Sequence, residues 1–229
     1  MTARQHVMRP TPSAPAGDAS QANISALVER QRAYFASGET RDPNFRHARL
    51  KTLRAVVAAC ERAVLSALRD DLRKPALEAY ASEIGAFRVE VNCAIRNVHE
   101  WASPATMLPL LAQFPSRAEI RSEPLGVALI IAPWNYPFGL VMAPLVAALA
   151  AGNCITVKPS ELAPATSHVI AKLLGDNFDP RHIAVTEGGP EVAQALLNEQ
   201  FDKIFYTGNA RGRATRDAGS RQTPHPRNA

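Results

Sequence analysis

Polar side chains follow the first of several short apolar runs in this sequence, at a position where chemistry can be built. The run "VALIIAP" covers residues 127–133, and Trp134 and Asn135 come directly after it. A side-chain amide fixed beside a bulky ring can donate a hydrogen bond to an oxygen that gains negative charge during a reaction. The alternative is that Asn135 caps the helix that follows. The spacing alone favours the cap.

A second group, Lys158, Ser160 and Glu161, ends the run "CITVKPS". A lysine and a carboxylate side by side can hold the two hydroxyls of a ribose, or they can form a solvated ion pair in a turn, which is the simpler interpretation. Gly188 and Gly189 end a third run, where glycine permits close approach of a ligand to the backbone or a tight turn. The Gly-x-Gly-x-x-Gly pattern of many dinucleotide sites is missing at every strand-to-helix junction.

The elements that must position these residues are strands alternating with helices. Four apolar runs, "VALIIAP", "CITVKPS", "HIAVTEG" and "KIFYTG", are separated by helical patterns that begin near residues 140, 164 and 190. Short units of this kind predict a parallel, doubly wound sheet with right-handed crossovers. Ligands bind at the carboxyl ends of the strands in such sheets. The endings "APWN", "KPSE", "TEGG" and "YTGN" are therefore expected to share one edge.

The part of the chain before the sheet has a helical period. One stripe contains Leu50, Leu53, Val57, Cys60, Val64 and Leu68, and a second contains Leu77, Tyr80, Ile84, Phe87, Val91, Ile95, Val98 and Trp101. Both stripes step by three or four residues, and Pro75 separates them. The predicted organisation is a disordered tail at 1–22, a helical part at 23–103, an extended arm and βαβ core at 104–209, and a disordered tail at 210–229.

Composition and charge exclude several classes of partner. The chain is 46% hydrophobic with a net charge of +5, of which +4 falls from residue 210 onward and only +1 on the first 209 residues. The five arginines of that tail have no aromatic residues among them, which disfavours a nucleic-acid partner. The three cysteines form no CxxC pair, and the histidines have no zinc spacing. These patterns predict a cytoplasmic globular protein with no metal and no membrane span.

Three stretches together resemble the coenzyme-binding half of an aldehyde dehydrogenase. They are "EPLGVALIIAPWNYP", "PLVAALAAGNCITVKPSELAPATS" and "FYTGN". These sequences are most similar to the class 3 branch of fatty-aldehyde and aromatic-aldehyde enzymes, and the resemblance runs from about residue 24 to Arg211. It implies an α/β fold with an N-terminal helical layer and an incomplete doubly wound parallel sheet.

The resemblance also implies roles for individual residues. Asn135 is expected to stabilise the oxyanion of a thiohemiacetal formed on a catalytic cysteine. Lys158 and Glu161 are expected to contact the adenosine ribose, and Gly208 to begin the turn beneath the pyrophosphate. The expected coenzyme-binding set is Ile131, Ala132, Pro133, Trp134, Lys158, Ser160, Glu161, Gly188 and Gly208. The carboxylate of Glu161 favours NAD over NADP by repelling a 2′-phosphate, although class 3 relatives often accept both.

The resemblance stops inside a motif. Gly212 follows Arg211 where the family has one more residue, and the eighteen residues 212–229 contain no Leu, Ile, Val, Phe, Met, Trp or Tyr. This composition is typical of a GC-rich gene read in a shifted frame. The family's Glu-Leu-Gly-Gly-Lys and Gly-Gln-x-Cys segments are absent from the sequence. The expectation is an aldehyde dehydrogenase without turnover; the alternative is a nucleotide-binding or assembly fragment, prone to association where intact relatives form homodimers.

Overall fold

The computed structural model describes residues 21–107 and 115–208. The tail predicted for 210–229 lies outside the described residues, and so does the tail predicted for 1–22 except for its last two positions. Those two positions, Gln21 and Ala22, already belong to the first helix. The helical part that was predicted from residue 23 therefore begins slightly earlier.

The helical part is built from five α-helices and two short turns of other helical types. The α-helices are α1 Gln21–Ala36, α2 Pro43–Ala59, α3 Glu61–Leu72, α4 Ala76–Ala79 and α5 Ala86–Ala102, with a 3-10 turn at Glu39–Arg41 and a π-helical turn at Tyr80–Gly85. The start of α2 follows the expected local chemistry, because Pro43 occupies the first turn and the Asp42 side chain accepts a hydrogen bond from the Asn44 N–H at 2.9 Å.

Two details of the predicted stripes are corrected by the structure. The first stripe is divided between two helices, α2 and α3, because the helix breaks at Cys60. Cys60 is only partly buried, although it still packs against the larger core. In the second stripe Leu77 is 82% exposed and Trp101 is 50% exposed, whereas Ile84, Phe87, Val91 and Val98 belong to the core.

The predicted doubly wound sheet is confirmed. Its parallel strands are β3 Val127–Ile131, β4 Cys154–Lys158, β5 Ile183–Val185 and β6 Lys203–Tyr206, in the spatial order β5-β4-β3-β6. The crossover helices are α6 Gly139–Ala151, α7 Pro164–Gly175 and α8 Pro190–Leu197. The predicted arm forms a separate antiparallel pair, β1 Ala105–Met107 with β2 Ala118–Ile120.

Helices cover both faces of the sheet, which explains the continuous apolar runs of β3 and β4. Ile130, Ile155 and Val157 pack in the larger core with residues of α2, α3 and α5–α7. Leu129 and Ile131 face the opposite side and pack with residues of α1 and α8. The strand order reverses between β3 and β6, and this reversal is where doubly wound sheets open a crevice for ligands.

Three predicted absences concern the whole chain, and the structure addresses them only for 21–107 and 115–208. In those ranges no helix is long and apolar enough to cross a membrane. No group of three potential metal ligands is found in the same ranges. The three cysteines all lie within them and are free.

Candidate functional site

The strand register brings most of the predicted site residues together at one edge of the sheet. Ile131 pairs with Lys158 on one side and with Tyr206 on the other. Two further backbone hydrogen bonds continue past the strand ends, from the Ala132 N–H to the Lys158 carbonyl at 3.2 Å and from the Thr207 N–H to the Ile131 carbonyl at 3.1 Å. The endings of β3, β4 and β6 are therefore neighbours, as the sequence predicted.

Lys158 and Glu161 form a close ion pair at the carboxyl end of β4. The Lys158 side chain is only 4% exposed, so this pair differs from the solvated ion pair that was the simpler interpretation. Burial raises the pKa of the Glu161 carboxyl, whereas the hydrogen bond and the charge of Lys158 lower it. The lowering is the larger effect, so the pKa lies below its usual value. Glu161 is thus ionised at neutral pH, and its side chain is partly exposed to solvent.

Three other predicted residues lie at the ends of β4, β5 and β6. The Ser160 hydroxyl accepts a hydrogen bond from the Leu162 N–H at 3.3 Å and so supports the turn that carries Glu161. Gly188 has a φ of +139°, and a Cβ built there meets Val192 at 2.4 Å. A tight turn therefore accounts for the glycine at position 188 without close approach of a ligand. At Gly208 a Cβ would meet the Tyr206 hydroxyl at 2.3 Å, so a side chain there requires the Tyr206 ring to move.

Asn135 lies on an exposed loop between β3 and α6. Its Oδ1 accepts a hydrogen bond from the Tyr136 N–H at 3.1 Å, and within the described part of the chain its Nδ2 has no acceptor. The helix-cap interpretation of Asn135 is wrong. The N-cap residue of α6 is Phe138, and the first N–H groups bind the side chain of Glu83 instead. The Asn135 amide is consequently available to a ligand.

Lys74 and Glu83 hold this loop from the helical layer, and sequence reasoning missed both of them. Glu83 Oε2 accepts from the N–H groups of Phe138 at 2.9 Å and Gly139 at 3.2 Å. Lys74 Nζ binds Glu83 Oε1 at 2.5 Å and the Asn135 carbonyl at 3.1 Å. A signal was present in the sequence: Glu83 lies beside Ile84 and three residues after Tyr80, so a carboxylate falls within the second apolar stripe.

Carboxylates occupy the starts of the three crossover helices at this edge. Glu83 binds the first N–H groups of α6, and Asp71 binds those of α7 through Ala165 at 3.1 Å and Thr166 at 2.7 Å. Glu191 accepts from the Gly189 N–H at the start of α8. A helix N-terminus attracts anions only while it is free. A phosphate is therefore disfavoured at α6, α7 and α8.

The cysteines are poorly suited to act as the nucleophile at this edge. Cys154 is the first residue of β4, about 13 Å from Lys158 at about 3.3 Å per residue. Burial, with the negative charge of Asp179, raises the pKa of the Cys154 thiol to about 12. Cys60 and Cys93 belong to the helical layer. Among the described residues, the site therefore offers an amide donor and a lysine–carboxylate pair but no thiolate.

Comparison with known proteins agrees with this arrangement of strands and polar residues. The sequence model of the aldehyde dehydrogenase family matches residues 4–222. The chain belongs to the aldehyde dehydrogenase family. The match continues beyond Arg211, where the resemblance was expected to stop. The expectation that residues 212–229 come from a shifted reading frame stays a prediction.

The similar aldehyde dehydrogenases include family 3 members, as the class 3 resemblance indicated. An aldehyde dehydrogenase of Craterostigma plantagineum is 44% identical over 192 residues, which cover 84% of this chain and 40% of that protein. The 4,4′-diaponeurosporen-aldehyde dehydrogenase of Staphylococcus aureus is 42% identical over 178 residues, 78% of this chain and 39% of that protein. Family 3 member H1 of Arabidopsis thaliana is 43% identical and covers 83% of this chain.

A solved structure supports the same placement. The substrate-bound state of Staphylococcus aureus AldH superposes with a TM-score of 0.85 at 39% identity, over 86% of this chain and 43% of that one. The 229 residues thus span about two fifths of the length of the aldehyde dehydrogenases they match.

Proposed function

We propose that this chain binds a nicotinamide dinucleotide and carries the amide that stabilises the oxyanion when aldehyde dehydrogenases oxidise an aldehyde to a carboxylic acid, without a nucleophilic thiolate among its described residues. The observation that carries the proposal is the Lys158–Glu161 pair on the strand next to the Asn135 loop. An ammonium donor and an ionised carboxylate acceptor, fixed by a buried strand end, suit the vicinal hydroxyls of a ribose. The residues present therefore fit the coenzyme.

Each side chain has a separate task in this proposal. Lys158 and Glu161 bind the adenosine ribose, while Ile131, Ala132, Pro133 and Trp134 line the cleft in which the dinucleotide lies. The nicotinamide supplies a hydride acceptor when it is bound. The Nδ2 amide of Asn135 donates to the substrate oxygen as negative charge develops on that atom. Because carboxylates occupy the N-termini of α6, α7 and α8, the pyrophosphate is placed instead at the carboxyl end of β6, where Gly208 lies.

The preference between the two coenzymes follows from Glu161. Its carboxylate is ionised, since its pKa lies below the usual value. A 2′-phosphate on the ribose is therefore repelled by the negative charge of Glu161. NAD⁺ is therefore the proposed coenzyme, with NADP⁺ as a weaker ligand. The aldehyde itself is not specified by these residues, since the amide and the ribose contacts act on parts that every aldehyde and coenzyme share.

Replacement of Glu161 by alanine is expected to weaken NAD⁺ binding by roughly tenfold, which corresponds to about 1.4 kcal/mol. The change removes an ionised acceptor for ribose hydroxyls and leaves Lys158 without its partner. Isothermal titration calorimetry of the full chain measures the effect directly. We expect Glu161→Gln to reduce the difference between NAD⁺ and NADP⁺, because it removes the repulsion of the 2′-phosphate while keeping an acceptor.

The matched control for this titration is Glu29→Gln, which neutralises an exposed glutamate of α1 away from the strand endings. Equal NAD⁺ affinities for the wild type, Glu161→Ala and Glu29→Gln would show that the pair does not hold the ribose. Absence of NAD⁺ binding by the wild type would contradict the proposed function as a whole.

A second candidate function, subunit assembly without catalysis, is favoured by the outer strand. Strand β6 lies at the edge of the described sheet, and Phe205 on it is 42% exposed. An apolar edge strand is a template for pairing with another chain. We expect concentration-dependent association in light scattering, and Phe205→Lys is expected to reduce it at least several-fold.

Leu162→Lys provides the matched control for association, because Leu162 is 65% exposed in the turn after β4 and does not belong to the edge strand. Equal loss of association in the two variants would indicate nonspecific apolar contact. A monodisperse monomer of wild type would contradict the assembly function.

A further inference from the structure

The Asn135 loop needs an external restraint if its amide is to act on a substrate oxygen. Its neighbours Trp134 and Tyr136 are 51% and 42% exposed, so side-chain burial anchors the loop at Phe138, which is 0% exposed, but does not fix the segment around Asn135. A donor contributes to catalysis only when it is held close to the required geometry before the reaction begins. At Asn135 the restraint must therefore come from contacts other than side-chain burial.

Lys74 makes three contacts that together define the position of this backbone. Its Nζ donates to the Asn135 carbonyl at 3.1 Å and to Glu83 Oε1 at 2.5 Å, and it lies 4.0 Å from the centre of the Tyr136 ring. An ammonium group has three donors, and the ring face attracts a cation. The Lys74 side chain is 11% exposed, so little water competes for these contacts.

Glu83 supplies the second point of attachment at the far end of the loop. Its side chain is fully buried, with Oε1 bound to Lys74 and Oε2 bound to the N–H groups of Phe138 and Gly139. Glu83 belongs to the π-helical turn Tyr80–Gly85, a helix type that often occurs at functional sites. The loop from Asn135 to Gly139 is thus held at both ends by one ion pair.

We propose that Lys74 and Glu83 are positioning residues that fix the Asn135 loop, so that the Asn135 amide points constantly towards the coenzyme edge of the sheet. The catalytic purpose of the loop rests on the proposed function. The restraint of the loop by Lys74 and Glu83 does not depend on any ligand. The Asn135 carbonyl and the N–H groups of Phe138 and Gly139 are the atoms through which the pair acts. Neither residue touches the reacting atoms.

A purely structural role, in which Glu83 only caps α6, makes a different prediction. The double variant Lys74→Met/Glu83→Gln separates the two roles. Methionine keeps the length of the lysine stem without a donor, and the glutamine oxygen still accepts from Phe138 and Gly139. The double variant also avoids leaving one buried charge without its partner, which single variants do at a large cost in stability.

The experiment is ¹⁵N relaxation on the full chain, read at the backbone and side-chain amides of Asn135. We expect the backbone order parameter of Asn135 to fall from about 0.85 to below about 0.6 in the double variant. Hydrogen exchange of Phe138 and Gly139 is expected to stay within about threefold of wild type, because the cap of α6 persists. The matched control is Lys172→Met/Asp176→Asn, which removes an exposed ion pair of α7.

Unchanged order at Asn135 in a folded double variant would overturn the proposal, and so would a uniform loss of order across β3 and β4. NAD⁺ titration of the same samples separates this result from the proposed function. If wild type binds no NAD⁺, the proposed function fails while the relaxation data still decide the coupling. If NAD⁺ binds equally to both proteins and Asn135 stays ordered, only the positioning role fails.

Discussion

The 229-residue chain is expected to form no NADH above the buffer blank when it is mixed with NAD⁺ and a medium-chain or aromatic aldehyde. Oxidation through a thiohemiacetal needs a thiolate near the oxyanion donor. Cys154 lies at the opposite end of its strand, and with a pKa of about 12 about one thiol in 10⁴ is ionised at pH 8. Loss of a covalent nucleophile costs on the order of 10⁶-fold in kcat.

The carboxylates near the site are poorly placed to act as a general base. Glu83 is bound by Lys74 and two backbone N–H groups, and Glu161 is paired with Lys158. Glu187 accepts a hydrogen bond from the Ser167 hydroxyl at 2.8 Å. Each carboxylate is therefore committed to a structural or ribose-binding contact. Water attack on a thioester intermediate has no activated partner among these groups.

The assay needs a longer family member as its positive control, such as the aldehyde dehydrogenase of Craterostigma plantagineum under identical conditions. The negative control is the variant Cys154→Ser. A rate that follows the purified chain through successive columns, and exceeds the blank at every aldehyde tested, would disprove the prediction. Loss of that rate in Cys154→Ser would then identify Cys154 as an unexpected nucleophile.

Much of the sheet could be predicted from the sequence because strands covered on both faces consist of uninterrupted apolar residues. The runs that contain β3 and β4 end at Pro133 and Ser160, close to the observed ends at Ile131 and Lys158. The strand register then follows from parallel pairing, which places the endings of β3, β4 and β6 side by side. The location of the candidate site is a consequence of this local pattern.

The contacts of the site could not be predicted because they join segments that are distant in the sequence. The cap of α6 is provided by Glu83, which lies 55 positions before Phe138, so the local spacing of Asn135 pointed to the wrong residue. The break at Cys60 was hidden for a different reason. The stripe on α2 and α3 keeps its period across the break, because both helices pack against the same core.

A large pH-dependent contribution to stability is expected from His182, which precedes β5 and is 2% exposed. Its ring lies 5.2 Å from the ring of Phe45 and 6.0 Å from that of Tyr34. Burial and the nearby charge of Arg49 lower the pKa of His182 to about 4, against a smaller opposing effect of Asp179. Its Nε2 has no hydrogen-bond partner in the described part of the chain.

The sign of the effect follows from proton binding in the two states. Between the unfolded pKa of about 6.5 and the folded pKa of about 4, the unfolded chain binds more protons at His182 than the folded chain. The free energy of unfolding therefore decreases as the pH falls through this window. From pH 7.5 to pH 4.5 the His182 contribution to this loss is about 2.5 kcal/mol.

Urea unfolding of wild type and His182→Phe at both pH values measures this contribution, because the carboxylates titrate alike in the two proteins apart from Asp179, whose pKa is lowered mainly by Arg181 and in smaller part by His182. Phenylalanine keeps a ring between Tyr34 and Phe45 but cannot be protonated. We expect wild type to lose about 2.5 kcal/mol more than His182→Phe, whereas the control His168→Gln, which removes an exposed histidine, follows wild type. Parallel pH profiles for wild type and His182→Phe would mean that His182 is protonated equally in the folded and unfolded states, and that its burial is relieved by water reaching Nε2.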